Sequence, residues 1–154
     1  MNVKKNKKNA KNLLFWCPHI GNVGTTKAVL ESAKSLSQSK NYKCKILNSF
    51  GEFDEYRTFL KKNKIEEIKL LNNRLLKKLP TEGFFWSRLN YTLVFIFCFF
   101  PLLFYLIRNK NNYLFIYLLT SLPLLIVSLF NLDNKVILRV SGRIRFTIFR
   151  KLIL

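Results

Sequence analysis

The chain has 154 residues, which is room for one domain with a real core and not for two. Its formal net charge of +19 points to an anionic partner, either nucleic acid, a membrane face or an acidic small substrate. Aromatic residues make up 15% of the chain and sit inside apolar runs, not between basic residues. That placement does not suit base stacking, so the membrane reading gains and nucleic acid ranks last. The cysteines, Cys17, Cys44 and Cys98, are odd in number and lack CxxC spacing, which reads as buried thiols in a reducing cytoplasm.

Residues 1–11 form a basic lead-in, and the apolar run after them is too short for a secretory signal. Leu13 to Cys17 reads as a buried strand ended by Pro18, which has no N–H for a ladder. A turn with Gly21 and Gly24 follows, and Thr25 or Thr26 can cap the next helix. Val29, Leu30, Ala33 and Leu36 share one face of that helix. A helix N-terminus facing a glycine turn suits a phosphate or another anion. The glycines are spaced GxxG, without the dinucleotide fingerprint or a Walker lysine, so a plain strand–helix turn fits equally well.

Lys43 to Phe50 reads as a second strand, with Cys44, Ile46 and Leu47 buried. Gly51 to Asp54 is a turn and Glu55 to Lys62 a short helix. Ile65 to Leu71 is ambiguous, because Ile65, Ile68, Leu71, Leu75 and Leu79 also recur at helical spacing. The α/β alternation requires a strand there, and a strand is the expectation.

Pro80 to Arg88 reads as a break. The uncharged run Tyr91 to Ile107 follows, flanked by Arg88 and Arg108. Its seventeen residues are at the lower limit for a bilayer span, Pro101 would kink a helix, and basic flanks on both sides favour no orientation. A helix pair in the membrane interface or a re-entrant segment is more natural than a span, and a buried core helix is the plain alternative. Residues 80–110 are therefore expected to associate with a membrane through Phe84, Phe85, Trp86, Arg88, Phe97, Phe99, Phe100 and Arg108. Tyr113 to Leu132 divides into a strand (Tyr113 to Leu118), a turn with Thr120 and Ser121, and a helix from Pro123. Lys135 to Val140 is a fifth strand ended by Ser141 and Gly142, and Arg145 to Leu154 begins a basic amphipathic helix.

This order predicts an α/β domain over residues 12–154. It would be a Rossmann-like, mostly parallel sheet with helices on both faces and an apolar helical insertion. Ligands in such folds bind at the carboxyl ends of strands.

The segments FWCPHIGNVGTTKAVLESAKSL, ILNSFGEFDEY, NYLFIYLLTSLPLLIVSLFN and KVILRVSG, in this order, resemble the N-terminal domain of family 4 glycosyltransferases of the GT-B fold. The bacterial members that build cell-surface polysaccharide are the most similar. The resemblance runs from Leu13 to Leu154 and implies the acceptor-side half of a two-domain enzyme. Such an enzyme moves a sugar from a nucleotide-sugar to a lipid-linked or polysaccharide acceptor, without a metal or other cofactor. It also implies a cytoplasmic location, peripheral on the inner face of the cell membrane, and a separate C-terminal domain as partner. Gly21, Gly24 and Thr25 match the family's glycine turn, and Arg139, Ser141 and Gly142 the end of its fifth strand. Relatives often carry a histidine where Tyr117 stands here. His19 is the one histidine and a weak candidate base. The donor-side domain with its acidic motif is not in this sequence, so the expectation is a chain inactive by itself. The competing expectation is a small basic membrane protein whose segments 91–107 and 113–132 form a helical hairpin.

Overall fold

The computed structural model describes residues 10–18, 24–39, 41–71, 84–117 and 122–139. Five short strands form one wholly parallel sheet in the order β3-β2-β1-β4-β5. β1 (Lys11–Trp16) lies at its centre, paired with β2 (Tyr42–Asn48) and β4 (Tyr113–Tyr117). β3 (Glu66–Lys69) and β5 (Lys135–Arg139) are the edges. β1 begins two residues earlier than its apolar run, since Lys11 pairs with Tyr42 and its N–H donates to Asn41 O at 2.9 Å.

Parallel strands need crossover connections, and helices supply them. The side chains of β1 alternate between two layers. Leu13 and Phe15 join Val29, Leu30 and Ala33 of α1 (Gly24–Ser37) and Leu60 of α2 (Arg57–Lys62) in one core. Leu14 and Trp16 join Val94, Cys98, Leu102 and Leu106 of α3 (Phe84–Arg108), with Leu122 and Ile126 of α4 (Leu122–Leu129), in the other. A strand covered on both faces has no polar side to show, which is why LLFW is uninterrupted. The α/β class, the parallel sheet and the helices on both faces agree with the sequence reading.

Helix-to-strand connections turn on single left-handed residues. Lys64, Asn111 and Asn131, with φ of 55°, 60° and 46°, follow α2, α3 and α4. Behind α2 and α4 the chain closes with Ile65 N–H to Leu60 O and Leu132 N–H to Val127 O, both 3.0 Å. These are the long backward bonds that satisfy final helix carbonyls, and asparagine tolerates the geometry better than most residues.

Three expectations change. Pro80 to Arg88 is not all break, because α3 begins at Phe84 and runs 25 residues without interruption, through Pro101. The apolar run is one helix, not a pair. The residue at 101 forgoes one backbone bond to Phe97, but the sheet holds both sides of that step through buried Cys98 and Leu102. Nor is 113–132 a helix, as a spanning hairpin requires: Tyr113–Tyr117 is a strand inside the sheet and only Leu122–Leu129 is helical. The basic helix expected over 145–154 lies outside the described residues.

The turn after β2 is built, not loose. Gly51 has φ 107°, and its N–H donates to Asn48 Oδ1 at 2.7 Å. Glycine accepts this backbone at no steric cost and alanine does not. Gly51→Ala is expected to destabilise the fold by about 1–2 kcal/mol, read as a lower midpoint in thermal melting. An unchanged midpoint would mean that the turn relaxes freely.

Candidate functional site

The strand order reverses between β1 and β4, so the crevice at their carboxyl ends is the place where this topology leaves room for a ligand. Four structural pieces reach this edge: the start of α1, the ends of β4 and β5, the turn after β2, and the first turns of α3.

Gly24 is the first residue of α1 and is exposed, with open space where a Cβ would stand. Thr25 and Thr26 do not cap the helix. They fall within its first turn, Thr25 half-buried and Thr26 buried, because the helix already begins at Gly24, ahead of both. No acidic side chain occupies that turn. His19 and Gly21 lie outside the described residues, as do Ser141 and Gly142.

Tyr117 and Arg139 are register partners at the ends of β4 and β5. Arg139 Nη1 donates to Tyr117 Oη at 3.1 Å and to Ser32 Oγ of α1 at 3.1 Å. Its guanidinium also lies over the Tyr117 ring, 5.1 Å from the centroid, a favourable cation–ring contact. The side chain thus ties β4, β5 and α1 together while remaining exposed. Beside it an open groove of about 510 Å³ runs between α1 and the β4–β5 face, lined by Glu31, Ser32, Ser35, Leu36, Phe115, Tyr117 and Arg139.

The turn after β2 carries polar groups that the sequence reading left as a turn. Glu52 is buried, and its carboxylate accepts from Ser49 N–H at 2.8 Å and Phe50 N–H at 2.9 Å. Burial pushes its carboxyl up to about 7, and the hydrogen bonds from Phe50 and Ser49 pull only part of the way back. Asn48 Nδ2 donates to Asp54 Oδ1 and to Glu67 Oε1. Arg57 pairs with the same two carboxylates, at 2.7 Å and 3.4 Å. Those acids are therefore spent on holding β2 to β3 and α2. The only textual hint of this arrangement is the Gly51-Glu52 pair after an asparagine.

Cys17 follows β1, Cys98 lies on α3, and both are buried and unbridged. Burial first, then the nearby Glu52 charge, pushes both thiols up to about 12. Burial alone pushes Cys44 up to about 11. Thiols held this high stay protonated at neutral pH and are poor nucleophiles. Among the described residues no three His, Cys, Asp or Glu side chains group as metal ligands.

The membrane-associating residues named from the sequence separate by face. Phe85, Trp86, Arg88, Phe97, Phe100 and Arg108 are exposed on α3, whereas Phe99 is half-buried against Phe130, ring to ring at 6.4 Å. Phe84 begins the helix, and its side chain lies outside the described set. Comparison of the chain with protein-family models, with curated proteins and with solved structures gives no match.

Proposed function

We propose that this chain is the acceptor-side half of a glycosyltransferase that moves a sugar from a nucleotide-sugar to a lipid-linked or polysaccharide acceptor. It would act in cell-surface glycan synthesis, at the cytoplasmic face of a membrane and together with a donor-binding domain. The observation that carries this reading is placement on one side of the sheet: α1 begins, and β4 and β5 end, at its carboxyl edge. The open α1 N-terminus at Gly24 and the paired Tyr117 and Arg139 reach the same carboxyl edge of a parallel sheet. The N–H groups of a helix's first turn and a guanidinium both favour phosphate or the negatively polarised oxygens of a sugar. In the transfer, the bond from the anomeric carbon to phosphate oxygen breaks, and the nucleoside diphosphate leaves with the electron pair. The acceptor oxygen forms the new bond and gives up its proton to a base. This half would position the acceptor, with Arg139 holding charge at the rim.

The test pairs the chain with a candidate donor-binding domain of the same fold class. Transfer of labelled sugar from nucleotide-sugars to a membrane lipid extract is then measured. Transfer is expected only with both chains, and Arg139→Ala should lower it by about tenfold or more, the loss of one charge-assisted contact. No transfer from any nucleotide-sugar with any such domain would overturn the reading.

A further inference from the structure

Among the described residues, the outward face of α3 and the end of α4 are apolar and uncovered. We propose that they seat the protein on an anionic lipid surface, with α3 lying in the plane of the membrane and not across it. This rests on the membrane-face part of the reading above and not on sugar transfer.

α3 has two distinct stripes. Val94, Cys98, Leu102 and Leu106, four residues apart, are buried and pack with Leu14, Trp16, Leu47, Leu114 and Ile116 of the sheet. That stripe pins the helix along the sheet, and a spanning orientation would strip it off. On the opposite side stand Ile96, Phe97, Phe100, Phe104 and Ile107, at the one-, three- and four-residue steps that keep a single helical face. Phe100 is 63% exposed and Ile96 and Phe104 are each 58% exposed. Only 28% of Tyr91–Arg108 is buried, so most of this apolar helix faces away from the sheet. Leu129 and Phe130 at the end of α4 widen the patch, with Phe130 reaching Phe99 across the gap. A monomer in water rarely leaves so large a continuous apolar surface uncovered.

The charge pattern selects lipid as the occupant. Neither α3 nor α4 contains a single carboxylate. Exposed Arg88 and Arg108, with Lys110 just beyond, mark the two ends of the apolar stretch, and the chain as a whole carries +19. Aromatic and aliphatic groups on one face with cations at the borders are the pattern of helices that lie at the headgroup boundary. α3 is about 37 Å long at 1.5 Å per residue, whereas the strands span about 13–24 Å. Its extra turns lie at the carboxyl edge of the sheet, where Tyr91, Val94 and Phe95 meet Trp16, Pro18 and Leu122. Phe85 and Trp86 would therefore reach the headgroup level beside the candidate site.

Flotation of the full chain with vesicles tests this. The protein should float with phosphatidylglycerol–phosphatidylcholine vesicles and not with pure phosphatidylcholine. Alkaline carbonate should release it. The triple variant Phe97→Ser, Phe100→Ser, Phe104→Ser should bind at least about tenfold less, because three buried aromatic contacts are lost. Its circular dichroism and melting should match wild type, since these side chains do not enter the core. Carbonate-resistant binding would mean a span and would overturn the in-plane arrangement. Unchanged binding of the triple variant, or no vesicle binding by wild type, would overturn the surface. A wild-type dimer that the triple variant turns monomeric would assign the face to a second copy and also overturn it. Loss of sugar transfer with vesicle binding intact would count only against the enzymatic reading.

Discussion

Phe15→Ala is expected to cost about 3–5 kcal/mol of folding free energy, a large share of what a domain of this size holds in total. Phe15 sits in the middle of the central strand and is fully buried. Its register partners are Ile46 on one side and Phe115 on the other. Its ring stacks on Phe115 at 5.5 Å and lies 6.3 Å from Tyr117. Each of those neighbours is fixed by a parallel ladder, so none can move in to fill the space, and the cavity term adds to the lost transfer energy. Urea unfolding would show a lower midpoint with an unchanged slope. Phe97→Ala is the control, since Phe97 is as large but stands on the outer face of α3 and should change stability by about 0.5 kcal/mol or less in water. A loss below 1 kcal/mol for Phe15→Ala would mean that the sheet repacks, contrary to the rigid register.

Sequence patterning reads this fold well where a strand is covered on both faces. LLFW, KCKILN and YLFIY are short apolar or β-rich runs between turn residues, and each is a strand near the predicted bounds. β3 is a weaker case. Its residues EEIK have no apolar alternation, because Glu66 lies at the exposed edge with Lys45 and Glu67 is spent on Asn48 and Arg57. The need for a crossover placed it there, and periodicity alone argued for a helix. α3 shows the opposite failure. Composition gave an apolar run with a proline and no direction, whereas the sheet decides which side is inside and lets the helix pass through Pro101. Within the candidate site, the pairing of Tyr117 with Arg139 follows from strand order and was accessible once the strands were placed. Glu52 was not. A glutamate in NSFGEFDEY looks solvated, and only the backbone turn at Gly51 brings it under the protein surface.

That buried carboxylate makes stability fall as pH rises. The carboxyl of Glu52 goes from an ordinary value of 4.5 to about 7 on folding, with burial as the main cause. Below 4.5 it is protonated in both states, and the native chain pays no charge penalty. Between 4.5 and 7 the unfolded chain releases its proton while the folded one keeps it, so each step up in pH favours unfolding. Above 7 both forms are ionised and the loss is complete. The two pKa values correspond to about 3 kcal/mol across this window. Cys17 and Cys98 add nothing to it, because both thiols are held near 12. Other groups of the chain also change charge with pH, so the comparison must be with Glu52→Gln. Glutamine keeps the shape and can still accept from Ser49 or Phe50, but it cannot ionise. The unfolding free energy of wild type minus that of Glu52→Gln should therefore drop by about 3 kcal/mol from pH 4 to pH 8. A difference that stays level with pH would mean that water reaches this carboxylate, and that the turn after β2 stands open at the edge where the candidate site lies.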